Sequence, residues 1–201
     1  MSWIRIISYS EATGKLKKLY DRIKGPDNYI DNIMLVHSLR PNTLEGHMSL
    51  YKNTLHHANN TLAKWLLEAV GGYVSALNGC TYCVAHHFRG MTRCLHDDQR
   101  AADIREALTN DQPEEVFSGR ELAIMQYAKA LTCTPHKVSE GQIEALREQG
   151  LTDGEILEIN QVVAYFAYAN RTVLGLGVDT TKEIIGLSPG NDEAEDDWHH
   201  R

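Results

Sequence analysis

The stretch CTYCVAHH, from Cys80 to His87, places two cysteines three residues apart and a histidine four residues beyond the second. On a helix Cys80 and Cys83 stand at i and i+3, and Cys83 and His87 at i and i+4, so all three side chains share one face. A thiolate in a first helical turn is favoured by unpaired backbone N–H groups and by the helix dipole. An imidazole one turn away is an acid or base suited to neutral pH. Glu68, on the preceding helix, is placed to fold back and orient that imidazole. The residues therefore fit a redox dithiol, but also two buried core thiols or a metal grip. Zinc is the sharper rival, since cysteine and histidine are good ligands. A structural zinc site wants four of them, and no second pair stands at finger-like spacing.

Such a face needs a helix, and the chain is full of helical pattern. Apolar residues recur at steps of three and four along most of it, and no run alternates as a strand would. A first helix is expected over 10–24, with Leu16, Leu19, Tyr20 and Ile23 on one face, and a short one over 30–39. Pro41 suits the first position of the next. TLAKWLLEAVGGYVSALN (61–78) follows, stopped by Gly79, and the helix of the cysteine pair begins at or beside Cys80 and runs to about Cys94. Capping boxes predict starts at Ser118, Ser139 and Thr152. The expected fold is all-α, a compact bundle of about eight to ten helices packed by their faces. EAVGGYVSALN and EINQVVAYFAYAN each bring an aromatic five residues before an Asn (Tyr73 to Asn78, Tyr165 to Asn170), a similarity compatible with two duplicated helical halves.

The 201 residues suit one domain, expected over 1–188, with the acidic end 189–201 as a disordered tail. The net charge of −7 leaves no excess of Lys or Arg to displace counterions, which argues against nucleic acid. No apolar run approaches the roughly 18 residues of a membrane span. The first residues lack the pattern of a secretory signal. A cytoplasmic protein is expected, and there cysteines stay reduced unless they work.

Glu68, Cys80, Cys83 and His87 together spell E-x11-C-x2-C-x3-H. With AIMQYAKALTCTPHKV, GLTDGEILEINQVVAYFAYANR and LGLGV, this resembles the alkylhydroperoxidase D family, in the carboxymuconolactone decarboxylase-like superfamily, and its branch of peroxidase-related proteins. The resemblance spans about Ile30 to Val178. It implies a thiol-dependent peroxidase acting on organic hydroperoxides, with no cofactor and no metal. Cys83 would be oxidised to a sulfenic acid, Cys80 would condense with it to a disulfide, and His87 with Glu68 would relay protons, through a water if need be. It further implies a dithiol reductant, lipoyl- or thioredoxin-like, and a homo-oligomer. Better-known members carry a histidine directly before the second cysteine. Here that position is Tyr82, whose hydroxyl, with a resting pKa near ~10, is a poorer base at pH 7.

Two other readings stay open: a CxxC redox partner or oxidant sensor without peroxidase activity, and a decarboxylase-type enzyme of the same superfamily. Among the other residues, His47, His56, His57 and His96 are expected on solvated helix faces, and His86 on the surface or at an interface. Cys94 and Cys133 are expected as buried thiols. Arg171 is expected partly buried, with Glu68 as a possible carboxylate partner.

Overall fold

The computed structural model describes residues 2–186. Among them are nine α-helices and no strand. The expected boundary at residue 188 and the tail over 189–201 lie outside the described residues. Helix α1 (Gly14–Ile23) buries Leu16, Leu19, Tyr20 and Ile23, the face that its spacing predicts. It starts later than expected, because Thr13 is still extended (φ −132°, ψ 166°) and acts as the N-cap. Helix α2 (Asn32–Leu35) is shorter than the 30–39 expected and gives way to turns. Pro41 then opens α3 (Pro41–Tyr51); a proline disfavours helical geometry in the residue before it, and Arg40 indeed lies outside the helical region.

Helix α3 runs on into a single π-helical turn, Lys52–His56, which buries every side chain but Asn53. The centre of the molecule is α4 (Lys64–Leu77), buried without interruption from Leu66 to Ser75 and packed against four other helices. A helix apolar nearly all round must lie inside the fold. Glu68 is the one charged residue of that buried run.

The chain turns sharply after α4. Gly79 takes φ +69°, a left-handed conformation that costs glycine nothing. The N–H of Cys80 donates to the Ser75 carbonyl at 2.8 Å. Cys80 is the N-cap of α5 (Thr81–Leu95), which doubles back along α4. Helices α6 (Asp98–Thr109), α7 (Gly119–Cys133), α8 (Glu140–Glu148) and α9 (Asp153–Leu176) complete the bundle. The capping boxes at Ser139 and Thr152 form, whereas Ser118 precedes α7 without capping it through its side chain.

After α9 the chain folds back as a strap over α2 and the start of α5. Asn32 Nδ2 donates to the Asp179 carbonyl at 2.8 Å, the Asn32 N–H to Glu183 Oε1 at 2.9 Å, and the Ile184 N–H to the Tyr29 hydroxyl at 2.9 Å. No described helix is long and apolar enough to cross a membrane.

Candidate active site

Helix α5 carries the cysteine pair, α4 carries Glu68, and the Gly79 turn sets the two helices side by side. Glu68 Oε2 and His87 Nδ1 consequently meet at 2.7 Å, both buried. Helix α5 comes this close because residue 90 has no side chain: a β-carbon at Gly90 would stand 2.9 Å from Glu68 Oε2. His87 is held from its other side by Phe166 of α9, whose ring meets it edge-on with centroids 4.4 Å apart.

Burial pushes the Glu68 carboxyl up. His87 beside it, with further help from His56 and Arg93, more than offsets this and leaves it below the usual carboxylate range. A carboxylate only accepts hydrogen bonds, so His87 donates to it from Nδ1 and leaves Nε2 as the ring nitrogen free to exchange a proton. Glu68 Oε1 also lies 3.6 Å from His56 Nε2. His56 comes from the π-helical turn, and its burial contradicts the expectation of a solvated face.

The two sulfurs lie 3.1 Å apart, within hydrogen-bond range, and both cysteines are free thiols. Neither is more than 2% exposed. Cys80 at the start of its helix is closed off from solvent: Val36, Val173 and Val178 pack around the pair. Asn170 and Ser75 stand beside the sulfurs. Asn170 Nδ2 donates to Ser75 Oγ at 3.1 Å, and its Oδ1 accepts from Asn78 Nδ2 at 2.9 Å. The two asparagines matched in the internal similarity thus touch each other.

The hydrogen bond from Cys83, together with backbone N–H groups of Cys83 and Tyr82, pulls the Cys80 thiol down, although burial works against it. Cys83 is pushed well up by the proton it shares with Cys80 and by burial. Of the two sulfurs Cys80 is therefore the more acidic, opposite to the order that the nearness of His87 suggests. The hydrogen bond from Cys83 is the main reason, and the backbone N–H groups at the N-cap of α5 add to it.

Cys83, and not Cys80, lines a cavity of about 40 Å³. Its walls include His87, Tyr82, His86, Asp31, His47, Tyr51 and Tyr165. There is room for roughly three waters at the usual volume needed for each. His87 and Cys83 face this space with no hydrogen bond between them among the described residues, so an oxygen of a water or substrate would have to connect them. The arrangement can hold a small oxidant against one sulfur, move a proton through an imidazole, and close a disulfide with the second sulfur.

Several expectations are corrected here. His86 is buried and lines the cavity; His47 is buried beside it, its ring 5.0 Å from that of His37. Cys94 and Cys133 are exposed, not core. Arg171 is exposed and donates to the Ala167 carbonyl instead of reaching Glu68. Asp31 and Glu183 carry no motif, and Asn170 and Tyr165 stood out only in the internal similarity. They could have been suspected only as polar residues within or beside apolar runs. Among the described residues no group of three His, Cys, Asp or Glu side chains is arranged to hold a metal ion.

The fold is that of the alkylhydroperoxidase D core. The chain is similar to the structure of an uncharacterized peroxidase-related protein from Ralstonia eutropha JMP134, described as an alkylhydroperoxidase AhpD core. That match has a TM-score of 0.78 and 21% identity, over 89% of this chain and 91% of that one. An uncharacterized peroxidase-related protein from Silicibacter sp. TM1040 matches with a TM-score of 0.67 and 20% identity, over 87% and 83%. The debrominase Bmp8, of which an alanine variant has been solved with 2,3,4-tribromopyrrole, matches at 0.66 and 17%, over 87% and 91%. No family model matches the chain, and no curated protein does.

Proposed function

We propose that this protein is a thiol-dependent peroxidase that reduces organic hydroperoxides through Cys83 and Cys80. The observation that carries the reading is the cavity. It opens on Cys83, has His87 backed by Glu68 in its wall, and leaves Cys80 3.1 Å behind the reactive sulfur. Cys83 becomes the thiolate by giving up its proton on the side that faces the cavity. His87 Nε2 is the atom that takes it, by way of an oxygen in the cavity. Sulfur then attacks the terminal peroxide oxygen, the S–O bond forms as the O–O bond breaks, and Cys83 becomes a sulfenic acid. Cys80 attacks Cys83, water leaves, and a disulfide results.

A dithiol reductant of lipoyl or thioredoxin type in the cytoplasm would restore the thiols, and a homo-oligomer is part of the same reading. Burial of both sulfurs favours a small oxidant over a partner protein as the first reactant, and so favours a peroxidase over a disulfide-exchange module. The reductant would then need the strap over α5 to move. The decarboxylase alternative draws on no feature of the cysteine pair.

Stopped-flow oxidation of the reduced protein by cumene hydroperoxide, with mass spectrometry, tests the reading. Wild type should lose two thiols and gain one intramolecular disulfide. Cys83→Ser should abolish peroxide consumption, and Cys80→Ser should leave a Cys83 sulfenic acid that dimedone traps. Dimedone labelling of Cys80 in Cys83→Ser would exchange the two roles. Unchanged turnover in both variants would overturn the enzymatic reading.

A further inference from the structure

Peroxide reduction takes a proton from sulfur and must return one to the oxygen that leaves. Glu68 and His87 serve the first transfer. Another wall of the cavity carries a second imidazole, His86, with a carboxylate behind it that the sequence motif does not contain. The Tyr82 hydroxyl donates to Glu183 Oε1 at 2.6 Å. His86 Nε2 stands 3.7 Å from the same oxygen, and the Tyr82 and His86 rings stack with centroids 4.7 Å apart. The strap brings Glu183 to this place, 101 positions along the chain from Tyr82, with its side chain wholly enclosed. Asp31, also buried, lines the cavity next to them.

Burial pushes Asp31 and Glu183 each up to about 7, and for Glu183 the nearby Asp31 charge adds to the effect. Two enclosed carboxyls so close to one another do not both stay bare, so the group retains a proton near neutral pH. Glu68 is shifted the other way. Consecutive residues of one helix, His86 and His87, thus face one cavity backed by carboxyls of opposite tendency, an arrangement that separates an acid from a base.

We propose that His86, positioned by Glu183 and Tyr82, is the general acid that protonates the alkoxide released when Cys83 is oxidised. The inference rests on the peroxidase reading and extends it. The Cys83 thiolate gives its electron pair to the terminal oxygen of ROOH. The S–O bond forms and the O–O bond breaks. The departing RO⁻ takes the proton from His86 and leaves as ROH, and the imidazole is reprotonated through the Asp31–Glu183 group. Tyr82, standing where relatives of the resembled family carry a histidine, thereby serves the acid side of the reaction and not the base side.

The test compares two oxidants in single-turnover oxidation of Cys83. Cumene hydroperoxide expels an alkoxide, which needs a proton. Peracetic acid expels a carboxylate, which needs none at pH 7. His86→Gln should slow the first by roughly 10²–10³ and the second by less than about threefold, the range expected for loss of one general acid. Glu183→Gln and Tyr82→Phe should show the same selectivity with smaller losses, and they carry the test if His86→Gln does not fold. His87→Gln should slow both oxidants. Equal slowing of both oxidants by His86→Gln, or slowing of neither, would overturn the proposal while leaving the peroxidase reading standing. Failure of wild type to react with cumene hydroperoxide would remove that reading, and the proposal with it.

Discussion

Gly90 lies against Glu68, so close that a β-carbon at position 90 would stand 2.9 Å from the carboxylate oxygen that His87 binds. A glycine on one helix therefore makes room for the buried charge of another. Gly90→Ala should push Glu68 out of line with His87 while removing no reactive group. Peroxide oxidation should slow by roughly 10-fold or more, as expected when a proton relay is misaligned. Circular dichroism should stay helical. Unchanged kinetics with an intact fold would mean that the Glu68–His87 contact does not serve the reaction.

The cysteine pair should ionise in an order that absorbance of the thiolate can follow. The largest influence lowering Cys80 is the hydrogen bond from Cys83. Wild type should therefore show one thiolate forming below the ordinary value near ~8.5 and the second far above it. In Cys83→Ala the early thiolate should form at higher pH, because the donor to its sulfur is gone. Two coincident titrations in wild type would contradict this coupling.

Stability should depend on pH through Asp31. Its folded value, about 7, lies above the ordinary 3.8, and burial is the cause. Between these values the unfolded chain releases a proton that the native protein keeps, so stability falls as pH rises from about 4 to 7 and then levels off. At about 1.4 kcal/mol for each pH unit separating the two values, Asp31 contributes at most about 4 kcal/mol to this loss. Denaturant unfolding of Asp31→Asn should show little change from wild type at pH 4 and a gain at pH 8. Glu183 acts with the same sign. Glu68, held low, acts oppositely, and its contribution is lost only as pH falls through its depressed folded value.

Two helix starts predicted alike should respond differently to alanine. The Glu155 N–H donates to Thr152 Oγ1, and Glu155 Oε2 accepts from the Thr152 N–H at 2.8 Å. Ser118 makes no side-chain cap. Thr152→Ala should cost about 1 kcal/mol, within the range for lost caps, and Ser118→Ala only a few tenths. Equal losses in thermal unfolding would show that Ser118 caps its helix after all.

What the sequence determined by itself is local. Residue period places the buried face of α1, Pro41 and Gly79 punctuate as their backbone preferences require, and the spacing of Cys80, Cys83 and His87 on one helical turn and the next follows from helical geometry. Local pattern also carries its own errors. A Ser-x-x-Glu at Ser118 satisfies the box without forming it, and a helical phase 100° away from His87 does not put His86 in water when other elements cover both directions. Whether His47, His56 and His86 are wet or buried depends on which helices pack over them, and one helix's sequence does not contain that information.

Only the tertiary structure decided which sulfur meets the cavity, since both cysteines share one face and differ by what α2, α3, α9 and the strap place around them. It also decided which cysteine is the more acidic, because the hydrogen bond from Cys83 and the N-cap amides lower Cys80 while that shared bond and burial raise Cys83. Asp31 and Glu183 show the same limit most clearly. Each is an unremarked acidic residue in the chain; Asp31 acquires its proton-holding character from burial, and Glu183 from burial and from the Asp31 charge, 152 positions away in sequence, once the strap has folded back over α5.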